Sequence, residues 1–407
     1  MNIVLINPPS PCLNDDTIYT PIGLMSIAGA IRLHHNVSIL DLTGGVEWGP
    51  LVEDMNADLV GITCVSPNFN VVADICNSIP DGIPIVIGGP HPTFLPIHTL
   101  RNTKCTSVVV GEGEVAINNI IGDIRCHIPL KPIYYGGIVE VDKIYPPAYD
   151  LIDLNKYNPT WATHGTTIQS SRGCPYNCAH CSKSTGRTYR EIPIPSIMSQ
   201  VEYLHSIGIT DLLFSDDNFG VNRTRAMELL SELGRYDLRF RIEMDVRHAD
   251  RNILELAKYV GCIEVAYGVE SGNDDILRLM NKGTTVADNI RAIELTMECG
   301  INAKALLMVN FPGETEDTAG DTLKFVEDTT PDKVAVSAFV PMPGCDVYNN
   351  PDKYGITWLS NDYSDYYIFR RDIAANPCFT TEYLTIAKQQ ELHDTLYNGI
   401  LGLGYDI

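Results

Sequence analysis

The chain has 407 residues, 44% of them hydrophobic, enough to fill two cores of ordinary size. Its 29 basic and 51 acidic side chains give a net charge of −22, which repels phosphate backbones and argues against a nucleic-acid substrate. It has no apolar run of about eighteen residues and no charged-then-apolar amino terminus, so neither a membrane span nor a secretion signal is expected.

From the amino terminus, short apolar runs alternate with amphipathic stretches, the pattern of a doubly wound parallel sheet. Strands are expected at Asn2–Asn7, Val37–Leu42, Asp58–Thr63, Ile83–Gly88 and Ser107–Val110, with a helix from about Gly23 to Leu33. Such sheets take ligands at the carboxyl ends of their strands. The loops there are Pro8-Pro9-Ser10, Val65-Ser66-Pro67-Asn68, Gly88-Gly89-Pro90-His91-Pro92-Thr93 and Gly111-Glu112-Gly113-Glu114. They let backbone approach a large flat ligand, although Gly and Pro also follow strands simply because chains must turn. Residues 126–160, with Pro129, Pro132, Pro146 and Pro147, read as a linker after a first domain over 1–125.

Over 161–350 the beat becomes strand, loop, long helix. Strands are expected at Thr167–Ser170, Asp211–Ser215, Phe240–Asp245, Glu264–Gly268, Ala303–Val309 and Lys333–Phe339, with helices such as Ile194–Ile207 and Val286–Cys299 between them. Six βα units suggest an open (β/α)6 partial TIM barrel whose site lies at the strands' carboxyl ends. Those ends are polar: Ser215-Asp216-Asp217-Asn218, Glu243 and Asp245, Glu270-Ser271-Gly272, Asn310-Phe-Pro-Gly-Glu314 and Pro341-Met-Pro-Gly344. Carboxylates there suit a cationic ligand with sugar hydroxyls. Glu314, Asp317 and Asp274 are taken as solvated loop acids or helix caps. Residues 351–407 form a distinct small C-terminal region, in which Asp362–Asp372 mixes aromatics with charge and Thr380–Leu401 reads as an amphipathic helix.

Twelve cysteines are present. Cys12, Cys64, Cys76, Cys105, Cys126, Cys262, Cys299, Cys345 and Cys378 are scattered, as expected of small hydrophobes in a reducing cytosol. Cys174, Cys178 and Cys181 share one short loop, Ser171-Arg-Gly-Cys-Pro-Tyr-Asn-Cys-Ala-His-Cys181. A zinc knot would close with a fourth Cys or His at short spacing, and none follows. Three thiolates on a [4Fe-4S] cube instead leave one iron open.

The spacing Cys-x3-Cys-x2-Cys, with Gly173 before the first Cys and the ring of His180 before the last, resembles the radical S-adenosylmethionine (SAM) superfamily. The resemblance implies that SAM chelates the open iron and is cleaved to a 5′-deoxyadenosyl radical. Tyr19-Thr-Pro-Ile-Gly-Leu24 and Gly88–Thr93 resemble the cobalamin-binding domain fused upstream of many such enzymes. Phe214–Phe219, Gly268–Leu277 with Lys282-Gly283, and Asn310–Thr315 are similar to segments of the same group, so the likeness covers about 350 of 407 residues. No Asp-x-His-x-x-Gly occurs, so cobalamin is expected without a lower His ligand, and His91 is expected at the rim, beside the nucleotide tail. By family likeness Asp216-Asp217 lies where the SAM amine is held, Glu270 where ribose is held, and Asn310–Gly313 along adenine and cluster. Ser215, Glu243 and His180 are expected in the same site, and Pro8, Pro9, Ser66, Gly88, Gly89, Thr93, Gly111 and Glu112 along the cobalamin rim.

The function this implies is a cytoplasmic, anaerobic, cobalamin-dependent radical SAM C-methyltransferase fed by an electron donor such as ferredoxin or flavodoxin. Its substrate is a small molecule or a protein or peptide side chain, its partners include no nucleic acid and no membrane, and two SAM molecules are used per turnover. Ring formation or carbon-skeleton rearrangement on the same scaffold is the second reading, and a non-catalytic iron-sulfur or cobalamin sensor the third.

Overall fold

The computed structural model describes residues 1–11, 13, 15–141, 144–157, 165–369 and 372–406. Cys12, most of the approach to the cluster loop (158–164), and Arg370 and Arg371 of the aromatic tail segment lie outside the described residues. The chain forms two compact units. One comprises Met1–Thr167 with Ser184–Gly186 and Arg190–Ser196, and the other Ile168–Lys183, Arg187–Tyr189 and Ile197–Ile407.

The first unit is built on six strands, β1 (Asn2–Asn7), β2 (Asn36–Asp41), β3 (Leu59–Thr63), β4 (Ile85–Gly88), β5 (Ser107–Gly111) and β6 (Ile133–Gly137). Their order is β2-β1-β3-β4-β5-β6, every pair parallel. The direction of winding reverses between β1 and β3, which opens a crevice at the carboxyl ends of those strands. Both faces of the central strands are covered, so β1 is a continuous apolar run, Ile3 to Ile6, all buried. The helices Ile22–Ile31 and Gly113–Arg125 bring Leu24, Ala28, Ile31, Ile117 and Ile120 onto Ile3, Leu5, Val86 and Val109. Each such aliphatic side chain contributes about 1.5–3 kcal/mol on burial. Strand β6 lies in the stretch read as a linker. Its sequence Ile-Tyr-Tyr-Gly-Gly sits on the sheet's edge and is half-exposed, so it lacks the apolar signature of an inner strand.

The second sheet contains β7 (Gly165–Ile168), β10 (Asp211–Phe214), β11 (Arg239–Met244), β12 (Cys262–Glu270), β13 (Asn302–Val309) and β14 (Lys333–Ala338); β8 (Ser171–Arg172) and β9 (Arg190–Glu191) are two-residue strands outside it. Its order, β7-β10-β11-β12-β13-β14, never reverses. Successive strands are joined by helices, Ile194–Ser206, Arg223–Leu233, Arg251–Tyr259, Val286–Glu298 and Glu316–Thr329. A sheet wound in one sense curls into the open barrel that the six βα units suggested. The strands alternate accordingly: Phe240, Ile242 and Met244 are buried, while Arg241 and Glu243 face the other way.

The C-terminal part adds an antiparallel pair, β15 (Ile356–Leu359) with β16 (Phe379–Thr381), and a helix over Ile386–Gly402. Thr380 and Thr381 are thus strand residues, and the helix starts where the Thr385 side chain accepts from the Lys388 amide. Among the described residues every cysteine is free. Cys64, Cys76, Cys262, Cys345 and Cys378 are buried, whereas Cys126 is exposed and not a core group. No described helix is long and apolar enough to cross a membrane.

Candidate functional site

The trio loop follows β8 at the mouth of the second sheet and is held by three different strand ends. After β10, Asp217 Oδ2 accepts from the Gly173 amide at 2.9 Å, and its Oδ1 lies 3.4 Å from Lys183 Nζ. After β12, the Met280 carbonyl accepts from Ala179 N at 2.7 Å, and Asn281 Nδ2 donates to the Asn177 carbonyl at 2.7 Å. After β14, the Pro343 carbonyl accepts from Ser182 Oγ at 2.8 Å, and Val347 N donates to the Ala179 carbonyl at 3.3 Å. Gly173 turns at φ +81°, a conformation that costs glycine nothing. Among the described residues no three His, Cys, Asp or Glu side chains gather tightly enough to ligate one ion.

Asp216 and Asp217 do different things. Asp216 is buried and accepts from the amides of Ser170 (2.6 Å) and Ser171 (3.0 Å) and from Ser170 Oγ. Burial raises its pKa, and these donors and Arg225 pull it back. With both oxygens engaged it pins the chain entering the loop, whereas Asp217, which meets Gly173 N and Lys183 Nζ, is the exposed member of the pair. Ser215 ties β10 to β7 through its amide and Ile168 O at 2.9 Å.

Glu270 ends β12 at a bulge after Gly268, with φ +64°, rare for a non-glycine residue. Its Oε1 is 3.0 Å from Lys282 Nζ and 3.7 Å from His180 Nε2. Burial opposes charge on both Glu270 and Lys282, yet each offsets this for the other, leaving Glu270 below the usual carboxylate range and Lys282 above the usual ammonium range. Burial lowers His180 to about 4, and its Nδ1 is buried without a partner. Glu243 lies on the face of β11 opposite Phe240, Ile242 and Met244, and desolvation raises its pKa, with Arg241 and Lys304 opposing the rise.

Asn310 follows β13 at φ +72°, fully buried, and its Nδ2 donates to the Gln389 carbonyl at 3.1 Å. Glu314 accepts from the Asn310 amide, is wholly buried, and is pushed by burial up to about 8. The expectation of a solvated loop acid is therefore wrong for Glu314.

Sequence reading missed the Met280–Lys282 arm and a second cluster on the loop. Tyr176 places its hydroxyl 2.7 Å from His248 Nε2, and the Arg247 guanidinium lies 3.4 Å from its ring centroid. The left-handed Asn281, at φ +51°, and Lys282-Gly283 were the available signal for the arm.

In the first unit Pro8 and Pro9 follow β1, Ser66 follows β3, Gly88 ends β4 with Gly89 and Thr93 after it, and Gly111 ends β5. Gly89 has φ +105°, and a Cβ there would stand 2.7 Å from the Cys64 carbonyl, so only glycine fits. Thr93 Oγ1 donates to the Gly89 carbonyl at 2.8 Å and accepts from Gly111 N at 3.1 Å, locking two rim turns together. Two rim expectations are corrected. His91 is fully buried, with Nδ1 3.0 Å from Ser66 Oγ and Nε2 3.2 Å from His98 Nδ1, so its ring points inward. Glu112 is buried against Arg190, at 2.7 and 2.9 Å, and accepts from Val139 N, so its carboxylate is directed at these partners.

Two family descriptions match the chain: the Radical SAM superfamily over residues 168–326 and the B12 binding domain over residues 12–121. An uncharacterized methyltransferase of Pyrococcus horikoshii is 29% identical over 381 residues, covering 84% of this chain and 82% of that protein. The anaerobic magnesium-protoporphyrin IX monomethyl ester cyclase of Rubrivivax gelatinosus is 26% identical over 331 residues; 73% of this chain is covered, and it spans 59% of the cyclase. Among solved structures, the radical SAM methyltransferase TsrM from Kitasatospora setae, with cobalamin and a [4Fe-4S] cluster bound, shares the fold at a TM-score of 0.71 and 19% identity, over 87% of this chain and 78% of that one. The chain belongs to the radical SAM superfamily, in the cobalamin-dependent group that carries a B12-binding domain ahead of the barrel.

Proposed function

We propose that the protein is a cobalamin-dependent radical SAM C-methyltransferase acting on an unactivated carbon. The supporting observation is the loop of three free thiols, pinned from three strand ends of an open barrel, in a chain that also carries a B12-binding unit. The group's cofactors supply a 5′-deoxyadenosyl radical that removes a hydrogen atom and a methyl group that replaces it.

The chain's own residues would do the following. Cys174, Cys178 and Cys181 hold the cluster through their thiolates. Asp217 faces the SAM amine, the largely buried ring of His180 lies against the nucleoside, and Glu270, with Oε1 committed to Lys282, offers Oε2 to a ribose hydroxyl. Asn310 turns the β13 backbone along the adenine edge. Ser66, Gly88, Gly89, Thr93 and Gly111 supply a rim of close backbone for the corrinoid, without a histidine directed at the metal. Placement and exclusion of water are the protein's contribution to such chemistry. Polarity in the barrel and the aromatic C-terminal region suit either a small molecule or an extended peptide segment as substrate.

Anaerobic assay of the reconstituted enzyme with candidate substrates tests the reading. 5′-Deoxyadenosine, S-adenosylhomocysteine and a product heavier by one methylene are expected together. 5′-Deoxyadenosine with neither of the other two would overturn it. The cyclase relative favours a second reading, carbon–carbon bond formation without methyl transfer, for which product mass would show loss of hydrogen instead.

A further inference from the structure

Cys178 is flanked by Asn177 and Ala179, and these two residues are gripped by the two that precede Lys282. Ala179 N donates to the Met280 carbonyl and Asn281 Nδ2 to the Asn177 carbonyl, each at 2.7 Å. The left-handed turn at Asn281 (φ +51°) and the one at Gly283 (φ +71°) then direct Lys282 inward, where it is only 7% exposed. Its ammonium meets Glu270 Oε1 at 3.0 Å, above Gly268. A Cβ on Gly268 would come within 2.8 Å of Lys282 Nζ and 2.6 Å of Glu270 Oε1, so the glycine leaves room for the pair. One three-residue arm thus fixes the loop on both sides of Cys178 and carries a buried cation whose partner oxygen, Glu270 Oε1, also lies 3.7 Å from His180 Nε2 of that loop.

We propose that Lys282 is a positioning residue with two linked effects: it orients the Glu270 carboxylate and sets the reduction potential of the cluster held by the neighbouring thiolates. This rests on the assignment of Cys174, Cys178 and Cys181 as cluster ligands. The physical reason is charge. Reduction adds an electron to an already anionic cluster, and a fixed cation in a site shielded from water favours the more negative state. Glu270, which also reaches His180 of the loop, carries the opposite charge and damps the effect, and Lys282→Gln leaves that carboxylate in place, so the variant isolates the cation's share.

The test uses the full chain reconstituted with iron and sulfide, titrated anaerobically and followed by electron paramagnetic resonance. Lys282→Gln keeps a hydrogen-bond donor for Glu270 but removes the charge, and Lys282→Arg keeps the charge. The expected result is a lower midpoint potential in Lys282→Gln, a near-native one in Lys282→Arg, and weaker SAM binding in Lys282→Gln by about tenfold, from loss of an oriented charge-assisted contact. Lys282→Gln with an unshifted potential and a full iron content would overturn the inference. So would loss of iron from both variants, which would assign the arm a purely structural role. A wild-type protein that takes up no cluster would instead contradict the underlying ligand assignment.

Discussion

Glu314 is a carboxyl group removed from water, with the Asn310 amide as its hydrogen-bond partner and Oε1 unpaired. Its ordinary value of 4.5 rises to about 8 in the fold, so between these values the native protein holds a proton that the unfolded chain releases. Stability is then full below about pH 4.5 and falls as pH rises through about 8. Unfolding by urea at pH 5 and pH 8.5 should show that loss, and Glu314→Gln should remove most of it; an unchanged slope in the variant would refute the assignment. Asp216 is also buried, but both of its carboxyl oxygens accept hydrogen bonds from the Ser170–Ser171 turn. Asp216→Ala would leave two buried amides and the Ser170 hydroxyl without their acceptor, at a cost of about 1–3 kcal/mol for each donor left unsatisfied, read as a lowered urea midpoint. A midpoint within error of wild type would show that water replaces the carboxylate.

At the scale of elements, the sequence was most legible where burial was greatest. Strands β1, β3, β11 and β13 are apolar or strictly alternating and were found within two residues of their ends. Strand β6 was read as linker because an edge strand needs little apolar character. The final helix was begun too early because Thr380 and Thr381 continue a polar–apolar pattern that belongs to β16. Turns carried more information than composition suggests. Gly89 closes the β4 turn against the Cys64 carbonyl, and Gly89→Ala should strain it by about 1–3 kcal/mol. That variant should melt earlier and retain less corrinoid after reconstitution, measured by visible absorbance. Equal retention would show that the β4 turn is structural only.

Across the whole molecule, the fold and the cluster loop were readable because both rest on local patterns, period and cysteine spacing. The partnerships of the polar residues were not. Asp216, Glu112 and His91 read as ligand-facing because sequence gives a residue's position but not its partner, and each partner, Ser170, Arg190 and Ser66, comes from a distant segment. The arm on the cluster loop escaped notice for the same reason, being a contact between residues about a hundred positions apart. The distinction that matters most is between the three loop thiols and the other cysteines, and iron content with electron paramagnetic resonance of the anaerobically reconstituted protein tests it directly. About four irons per chain and a signal altered by SAM are expected for wild type and for Cys262→Ala, with neither in Cys174→Ala, Cys178→Ala or Cys181→Ala. Iron retained in those three variants, or lost equally in Cys262→Ala, would contradict it.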